Sequence, residues 1–538
     1  MRAGAPRTGT WYKTDTGIDD RMIRRRDLLS SVGTWAAWNS IYSLGAPLGA
    51  LAAGTSAFPR NIADGGKLLA QASGSSGALP SFRPEQFGAK GDGSSDDTAA
   101  FQALGKAVTA NGGGRIILRQ GAIYRLGQQE FKGALGKGTA WRSKDMLSIE
   151  NCSGLVIEGN GATLRVNDGQ RYGAFDRAKG TAYNAPPGKF TDWAYAAVVG
   201  SIIRIFNCKN VRLSDFTVDG NQDKLLVGGR WGDAGIQLRA VGLHLEEVAD
   251  LAITNVRSNN NGLDGFYLKG RNVSKSGGVS DNINFDGVTA ERNGRQGLSI
   301  VGGRGIVLRG CNFSLTGQGR ISSSPAAGVD IEPNNNDWVR DVEFHNCRFE
   351  ANKGNGIIAD HSRARNLTVD NCEFWGGFTI ESGGSLSSGD CIWLKAEHVV
   401  IRNCRVHGCI TQLPPTASLV DTVFDDSAHE HYGPSAQNRI YLVQNARCSF
   451  LRCSFNVFGT RRLVHGLSGS YFKDCNLRFE GVRPDKDALA VFASGSTIDG
   501  MKVAEKISAR PASGYYISAR KASVRGRIQV AGPYIKWS

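Results

Sequence analysis

The chain has 538 residues, of which 70 are Gly, 15 Pro and only 4 Met. Hydrophobic residues make up 41%, enough for a sizeable core without low-complexity tracts, which excludes a disordered or fibrous chain; the glycine punctuation favours many short strands over helices. The net charge of +15 favours polyanionic partners, but the basic residues are scattered rather than clustered, so nucleic acid is not singled out.

The first feature along the chain is R-R-R-D-L-L (Arg24 to Leu29), followed by a mildly apolar, uncharged run. It resembles a twin-arginine export signal with Arg25 and Arg26 as the pair, although Leu28 stands where that pattern prefers Phe. The resemblance implies a start at Met22 and cleavage after A-Q-A at Ala72 or near Ala57. Residues 1–72 are then export signal and linker, and the mature protein is periplasmic or extracellular. The apolar run is too short and too rich in Gly, Ser and Asn for a membrane anchor.

Next comes F-G-A-K-G-D-G-S-S-D-D-T (Phe87 to Thr98), continuing through G-G-G-R-I-I-L to I-Y-R-L at Leu126. This segment resembles the opening of the pectate-lyase superfamily, which includes rhamnogalacturonase-like and epimerase-like β-helices. The resemblance implies a short helix covering the N-terminal end of a coil, and a carbohydrate-active enzyme. Ser95 or Asp96 is placed to cap that helix, with Asp97 in its first turn, where the helix dipole favours an acid. Asp92, Asp96 and Asp97 are therefore read as structural.

From residue 234 onward one pattern recurs: A-G-I-Q-L-R (234–239), D-G-F-Y-L-K (264–269), Q-G-L-S-I-V (296–301), A-G-V-D-I-E (327–332), N-G-I-I-A-D (355–360) and D-C-I-W-L-K (390–395). The glycine positions are 30, 32, 31, 28 and 35 residues apart. Between them lies a second strand family, such as V-E-F-H-N-C-R-F (342–349) and V-V-I-R-N-C-R-V (399–406), with Asn- and Gly-rich turns that tolerate left-handed backbone. Most of the eleven Cys recur in this family (Cys208, Cys347, Cys372, Cys404, Cys453, Cys475), which marks a repeat position and not a disulfide framework. Short strands in a fixed order with a period of about 30 describe stacked coils that bury their apolar faces on one another. The expected fold is all-β: one single-stranded right-handed parallel β-helix over residues 80–538 with an N-terminal capping helix. Burial is complete without a partner, so a monomer is expected.

Alternation then sorts the strands. The inward columns read Ile236, Phe266, Leu298, Val329, Ile357, Ile392 and Leu238, Leu268, Ile300, Ile331, Ala359, Leu394. The outward columns hold Gln237, Tyr267, Ser299, Asp330, Ile358, Trp393 and Arg239, Lys269, Val301, Glu332, Asp360, Lys395. Coils stack about 4.8 Å apart, so Asp330, Glu332 and Asp360 are expected to form one acidic patch with catalytic capacity. Tyr267, Lys269, Arg295, His361, Trp393, Lys395, Asp264 and Arg239 are expected to flank it as substrate contacts, aromatic rings stacking on sugars and cations pairing with uronate carboxylates. Hydrolysis needs a proton-donating acid and a second carboxylate. β-Elimination needs a base such as Lys269, Arg295 or His361, with Ca²⁺ or a cation stabilising the enolate. Epimerisation shares that first step.

The motif sets of known subfamilies are incomplete. N-G-L-D-G (261–265) and S-G-D-C (388–391) only partly match the polygalacturonase pattern, and E-P-N (Glu332 to Asn334) stands where alginate epimerases carry D-P-H. A further cluster, His429, Glu430 and His431, is a weak metal or groove candidate. The expectation is an exported enzyme that cleaves an acidic polysaccharide as lyase or hydrolase. The alternatives are a uronan epimerase or a non-catalytic glycan-binding β-helix. No cofactor is required, Ca²⁺ excepted if the reaction is elimination.

Overall fold

A computed structural model describes residues 79–132, 139–185, 192–232, 235–274, 279–334, 336–376, 390–425, 447–458, 469–480, 488–492, 494–506, 515–519, 522–531 and 535–537. The expected export signal and His429, Glu430 and His431 lie outside these residues.

The chain winds as a right-handed parallel β-helix with three strands per coil. The first face holds the glycine-led strands, among them Gly200–Phe206, Asp264–Gly270, Ala327–Ile331, Ile357–Ala359 and Asp390–Leu394, each parallel to its neighbours. The second strand family supplies the other two faces. Val339–His345 pairs with Ala364–Asp370 on the second face, and Arg348–Glu350 with Glu373–Trp375 on the third. Between these strands one residue turns left-handed: Asp215, Asn255, Asn346, Asn371 and Asn403 all have φ between 51° and 58°. The Asn before Cys in H-N-C-R-F is therefore a corner, and what reads as one strand is a bent pair. Asn tolerates this conformation, and stacked corners bond to one another, as Asn371 Nδ2 does to Asn346 Oδ1 at 2.6 Å.

The repeat glycines are explained by close approach between coils. A Cβ on Gly265 would sit 2.6 Å from the Gly297 carbonyl oxygen, and one on Gly297 2.5 Å from that of Gly328. Inside, Phe266, Leu298, Val329, Ile357 and Ile392 form a continuous buried column. Behind it stacks a column of phenylalanines, with Phe349 and Phe374 rings 4.6 Å apart. Cys347, Cys372 and Cys404 are free, buried thiols and follow one another up the coil through backbone N–H to Sγ contacts of 3.4 Å. They fill space as small apolar side chains.

Helix α1 (Thr98–Ala110) closes the N-terminal end and buries Phe101, Leu104 and Val108. A Cβ on its Gly105 would lie 2.5 Å from the Ser148 carbonyl oxygen, so the helix rests directly on the first coil. Its capping differs from expectation. Asp97 occupies the cap position, but its carboxylate accepts from the Lys90 and Gly91 amides, while Asp96 accepts from the Thr98 amide at 3.0 Å. Two small sheets, unanticipated from the repeat, attach to the coil. One has five strands (Gln129–Phe131, Trp141–Ser143, Arg171–Ala174, Ala196–Ala197, Leu226–Val227) and the other three.

Candidate active site

The first repeat is out of frame with the expectation. Leu243 pairs with Phe266 and His244 with Tyr267, so V-G-L-H-L-E (241–246) forms the rung below D-G-F-Y-L-K. A-G-I-Q-L-R precedes that rung and lies outside the ladder. Ile236, Leu238, Gln237 and Arg239 therefore leave their columns, and Leu243, Leu245, His244 and Glu246 replace them. Arg239 instead reaches Asp145, with Nη1 3.3 Å from Oδ2. The two hexapeptides share the same small–apolar–polar template, and pattern alone does not rank them.

The outward row of the first face thus reads Arg204, His244, Tyr267, Ser299, Asp330, Ile358, Trp393. Asp330 projects outward because Val329 and Ile331 fill the core, yet it is only 3% exposed. Gln296 Nε2 donates to its Oδ2, and Gln296 Oε1 accepts from Ser299. Ser299 Oγ also lies 3.0 Å from Asp264 Oδ2, and Asp264 holds Arg295 through both carboxylate oxygens, with Nε 2.8 Å from Oδ1. Asp264 and Arg295 are 0% and 5% exposed. Burial works against the Arg295 charge, but Asp264 foremost, then Asp330 and Glu332, more than offset it and raise its pKa.

This corrects the expected roles of the cations. Arg295 and Asp264 are buried and paired with each other. Lys269 is buried with Nζ 3.8 Å from Glu246, Glu247 and Asp337 carboxylate oxygens. Lys395 Nζ lies 2.5 Å from Asp360 Oδ1 and 5.6 Å from the Trp393 ring centre. Each cation expected to meet a uronate has a carboxylate of the chain itself at hand.

The accessible part of the patch is Glu332, Asp360, His361, Trp393 and Lys395, all half-buried or exposed. Asp330 and Ile358 share a register, and Glu332 and Asp360 each follow two residues further along, just past the ends of these neighbouring strands. His361 sits beside both: burial first and Arg363 next lower its pKa, while Glu332 and Asp360 act in the opposite sense. Its Nδ1 accepts from the Arg363 amide at 2.9 Å. Arg363 in turn donates to the Pro333 carbonyl at 3.0 Å, which ties the strand end at Asp360 to the turn after Glu332.

His244, Glu246 and Arg204 were missed with the misframed rung. The His244 ring lies 4.6 Å from that of Tyr267, nearly edge-on, and neither of its buried nitrogens has a hydrogen-bond partner among the described residues. Its Nε2 is 3.6 Å from Glu246 Oε2. Burial pushes the Glu246 carboxyl up, but His244, Lys269 and Arg204 together bring it below its ordinary value. Among the described residues no group of three or more acid, His or Cys side chains is arranged to hold a metal ion.

The family model for a right handed beta helix region matches residues 201–406. The chain is similar to the capsule KN3-specific depolymerase 1 of Klebsiella phage KN3-1, at 25% identity over 54% of this chain and 31% of that protein. It is also similar to mannuronan C5-epimerase AlgE3 of Azotobacter vinelandii, at 27% identity over 44% of this chain and 12% of that protein. The match spans less than a third of the length of either relative. Among solved structures, the A-module of mannuronan C-5 epimerase AlgE4 from the same bacterium aligns with 85% of this chain and 99% of its own at 16% identity, with a TM-score of 0.34. The wound coil, its helical cap and the match over its central coils together make the chain a right-handed parallel β-helix protein.

Proposed function

We propose that the protein is an exported polysaccharide-cleaving enzyme, acting by acid–base hydrolysis in a groove on the first face of the coil. The observation that carries this reading is the accessible pair Glu332 and Asp360, at the ends of neighbouring strands beside His361 and close to the buried Asp330. In this reading Glu332 protonates the glycosidic oxygen. Asp360, ion-paired with Lys395, supplies the second carboxylate, and Trp393 stacks on a sugar ring. Asp330 orients the strand end from beneath. Neighbouring coils are about 4.8 Å apart, close to the carboxyl separation of retaining glycosidases. The similarity to a capsule depolymerase and to mannuronan epimerases supports an acidic glycan as the substrate class.

A second reading has its own observation. His244 is buried against Tyr267 with Nε2 3.6 Å from Glu246, and among the described residues its ring nitrogens have no hydrogen-bond partner, as a proton-transferring group would be held. That pair would carry out elimination or epimerisation beside a uronate carboxylate. A panel of pectate, rhamnogalacturonan, alginate, glucuronan and neutral gums, read at about 235 nm and for reducing ends, separates the readings. Reducing ends without absorbance, abolished by Glu332→Gln and Asp360→Asn, support hydrolysis. Absorbance that survives those variants and disappears in His244→Gln supports elimination. Binding without turnover on the whole panel overturns both and leaves a glycan-binding β-helix.

A further inference from the structure

The five-stranded accessory sheet carries chemistry that the coil does not need. Most aromatic rings of the coil point inward, but here they gather outside it. Phe131, 48% exposed on an edge strand, lies 4.9 Å from Trp141. Tyr183 and Tyr195 stack at 4.0 Å, their planes 13° apart, and both rings are half-buried.

Two guanidinium groups lie on these rings. Arg171 sits 5.3 Å from the Trp141 centre, and Arg177 lies 5.6 Å from that of Tyr195. Most of the ion-paired arginines around the site described above belong to other carboxylates of the chain. Among the described residues neither Arg171 nor Arg177 has a carboxylate partner, and the buried Arg171 Nε has no hydrogen-bond partner at all. The only acid in the Arg177 turn, Asp176, accepts from the Ala178 and Lys179 amides. Cations resting on aromatic faces without an anion are held ready for one from outside.

The position of the sheet fits this. Trp141–Ser143 leads into Leu147–Glu150 and Ala196–Ala197 into Gly200–Phe206, so the sheet stands where the strands of the catalytic face begin. Tyr172, also in this sheet, bonds through its hydroxyl to the Leu238 carbonyl at 2.8 Å and the Gly262 carbonyl at 3.2 Å, two residues from Asp264.

We propose that this sheet is a second glycan-binding surface, which takes a run of an acidic polysaccharide by stacking on Phe131 and the Tyr183–Tyr195 pair and by pairing its carboxylates with Arg171 and Arg177. It rests on the polysaccharide reading above, and it assigns the sheet to holding the polymer away from the point of reaction.

The test is affinity electrophoresis of the full chain in gels containing polygalacturonate, alginate, hyaluronan or neutral dextran. The samples are the wild type, Phe131→Ser/Arg177→Ala, Arg177→Lys and Asp360→Asn. Wild type and Asp360→Asn are expected to be retarded in at least one acidic gel and not in dextran. The double variant is expected to weaken binding about tenfold at unchanged circular dichroism, with Arg177→Lys in between. Retardation equal in wild type and double variant overturns the proposal, as does absence of wild-type retardation in all three acidic gels. A wild-type dimer that the double variant converts to monomer in sedimentation also overturns it, because a second copy then occupies the surface. Loss of binding in Asp360→Asn alone rejects this surface but leaves the enzymatic reading standing. Platform-dependent binding without turnover does the reverse.

Discussion

Asn334 Nδ2 donates a hydrogen bond to the Tyr267 hydroxyl at 3.1 Å, reaching back across two coils of the first face. The same residue donates its backbone N–H to the Val301 carbonyl at 2.9 Å. Asn334 thereby pins the chain over the face just after Glu332, and Tyr267 is fixed beside His244. Replacing Asn334 by Ala removes one side-chain bond from a partly buried site. Turnover on the identified glycan is expected to fall about fivefold, with the melting temperature within about 2 °C of wild type. Unchanged turnover would separate this turn from catalysis.

Asp264 and Arg295 form a buried, doubly bonded ion pair beneath the acidic patch. Asp264→Asn leaves the guanidinium unneutralised in the interior and is expected to cost about 4 kcal/mol in stability. The double change Asp264→Leu/Arg295→Met removes both charges and is expected to cost less than either single change. Chemical denaturation of the four proteins checks the order; a double variant less stable than both singles contradicts it.

The repeat glycines predict a sharp steric penalty. A methyl group on Gly297 falls 2.5 Å from the Gly328 carbonyl oxygen. Backbone cannot move aside there without opening the coil ladder, so Gly297→Ala is expected to destabilise by about 3 kcal/mol. A thermal melt within a degree or so of wild type would show that the coils can spread at this point.

On the third face His407 stacks on Trp375 at 3.9 Å, with Nδ1 2.8 Å from Asp425 and Nε2 3.5 Å from Glu373. Burial disfavours its charge, but the Asp425 and Glu373 carboxylates outweigh that and raise its pKa. A raised histidine stabilises the fold fully below its unfolded value of about 6.5 and loses that contribution as pH climbs through the folded value. The stability deficit of His407→Gln is thus expected to be largest near pH 5.5 and to shrink towards pH 9. Urea midpoints at several pH values measure it, and a deficit that grows with pH would reverse the assignment.

The thiols give a further check. Burial pushes Cys152 and Cys453 up to about 12, and Cys475 up to about 11. In the native protein these groups are expected to resist a disulfide-exchange reagent at pH 8 and to react only after unfolding. Rapid native labelling of any of the three, located by peptide mapping, would mean that its coil opens.

The solenoid was legible because its period recurs with every coil: Phe266, Leu298, Val329 and Ile357 announce one buried column without knowledge of any contact. The third face was not read, since Asn346 and Asn403 interrupt an apolar alternation without breaking it, and only their backbone angles show a corner. Asp330 falls in the outward row that alternation predicts, and its burial goes with the bond from Gln296 of the neighbouring coil, which alternation does not reveal. The self-pairing of Arg295, Lys269 and Lys395 depends on acids one or more coils away, such as Glu246, whose rung was read in the wrong frame.

A coil of this kind is also a unit of inheritance. Most of the central turns meet their neighbours through a glycine, an asparagine corner and the same apolar columns. A duplicated turn can therefore be spliced in with its joints already matched. One duplication would lengthen the first face by a rung while the register of the remaining coils stayed intact. The loops between faces could then diverge one at a time, so that the outer surface of such a solenoid could change without its core.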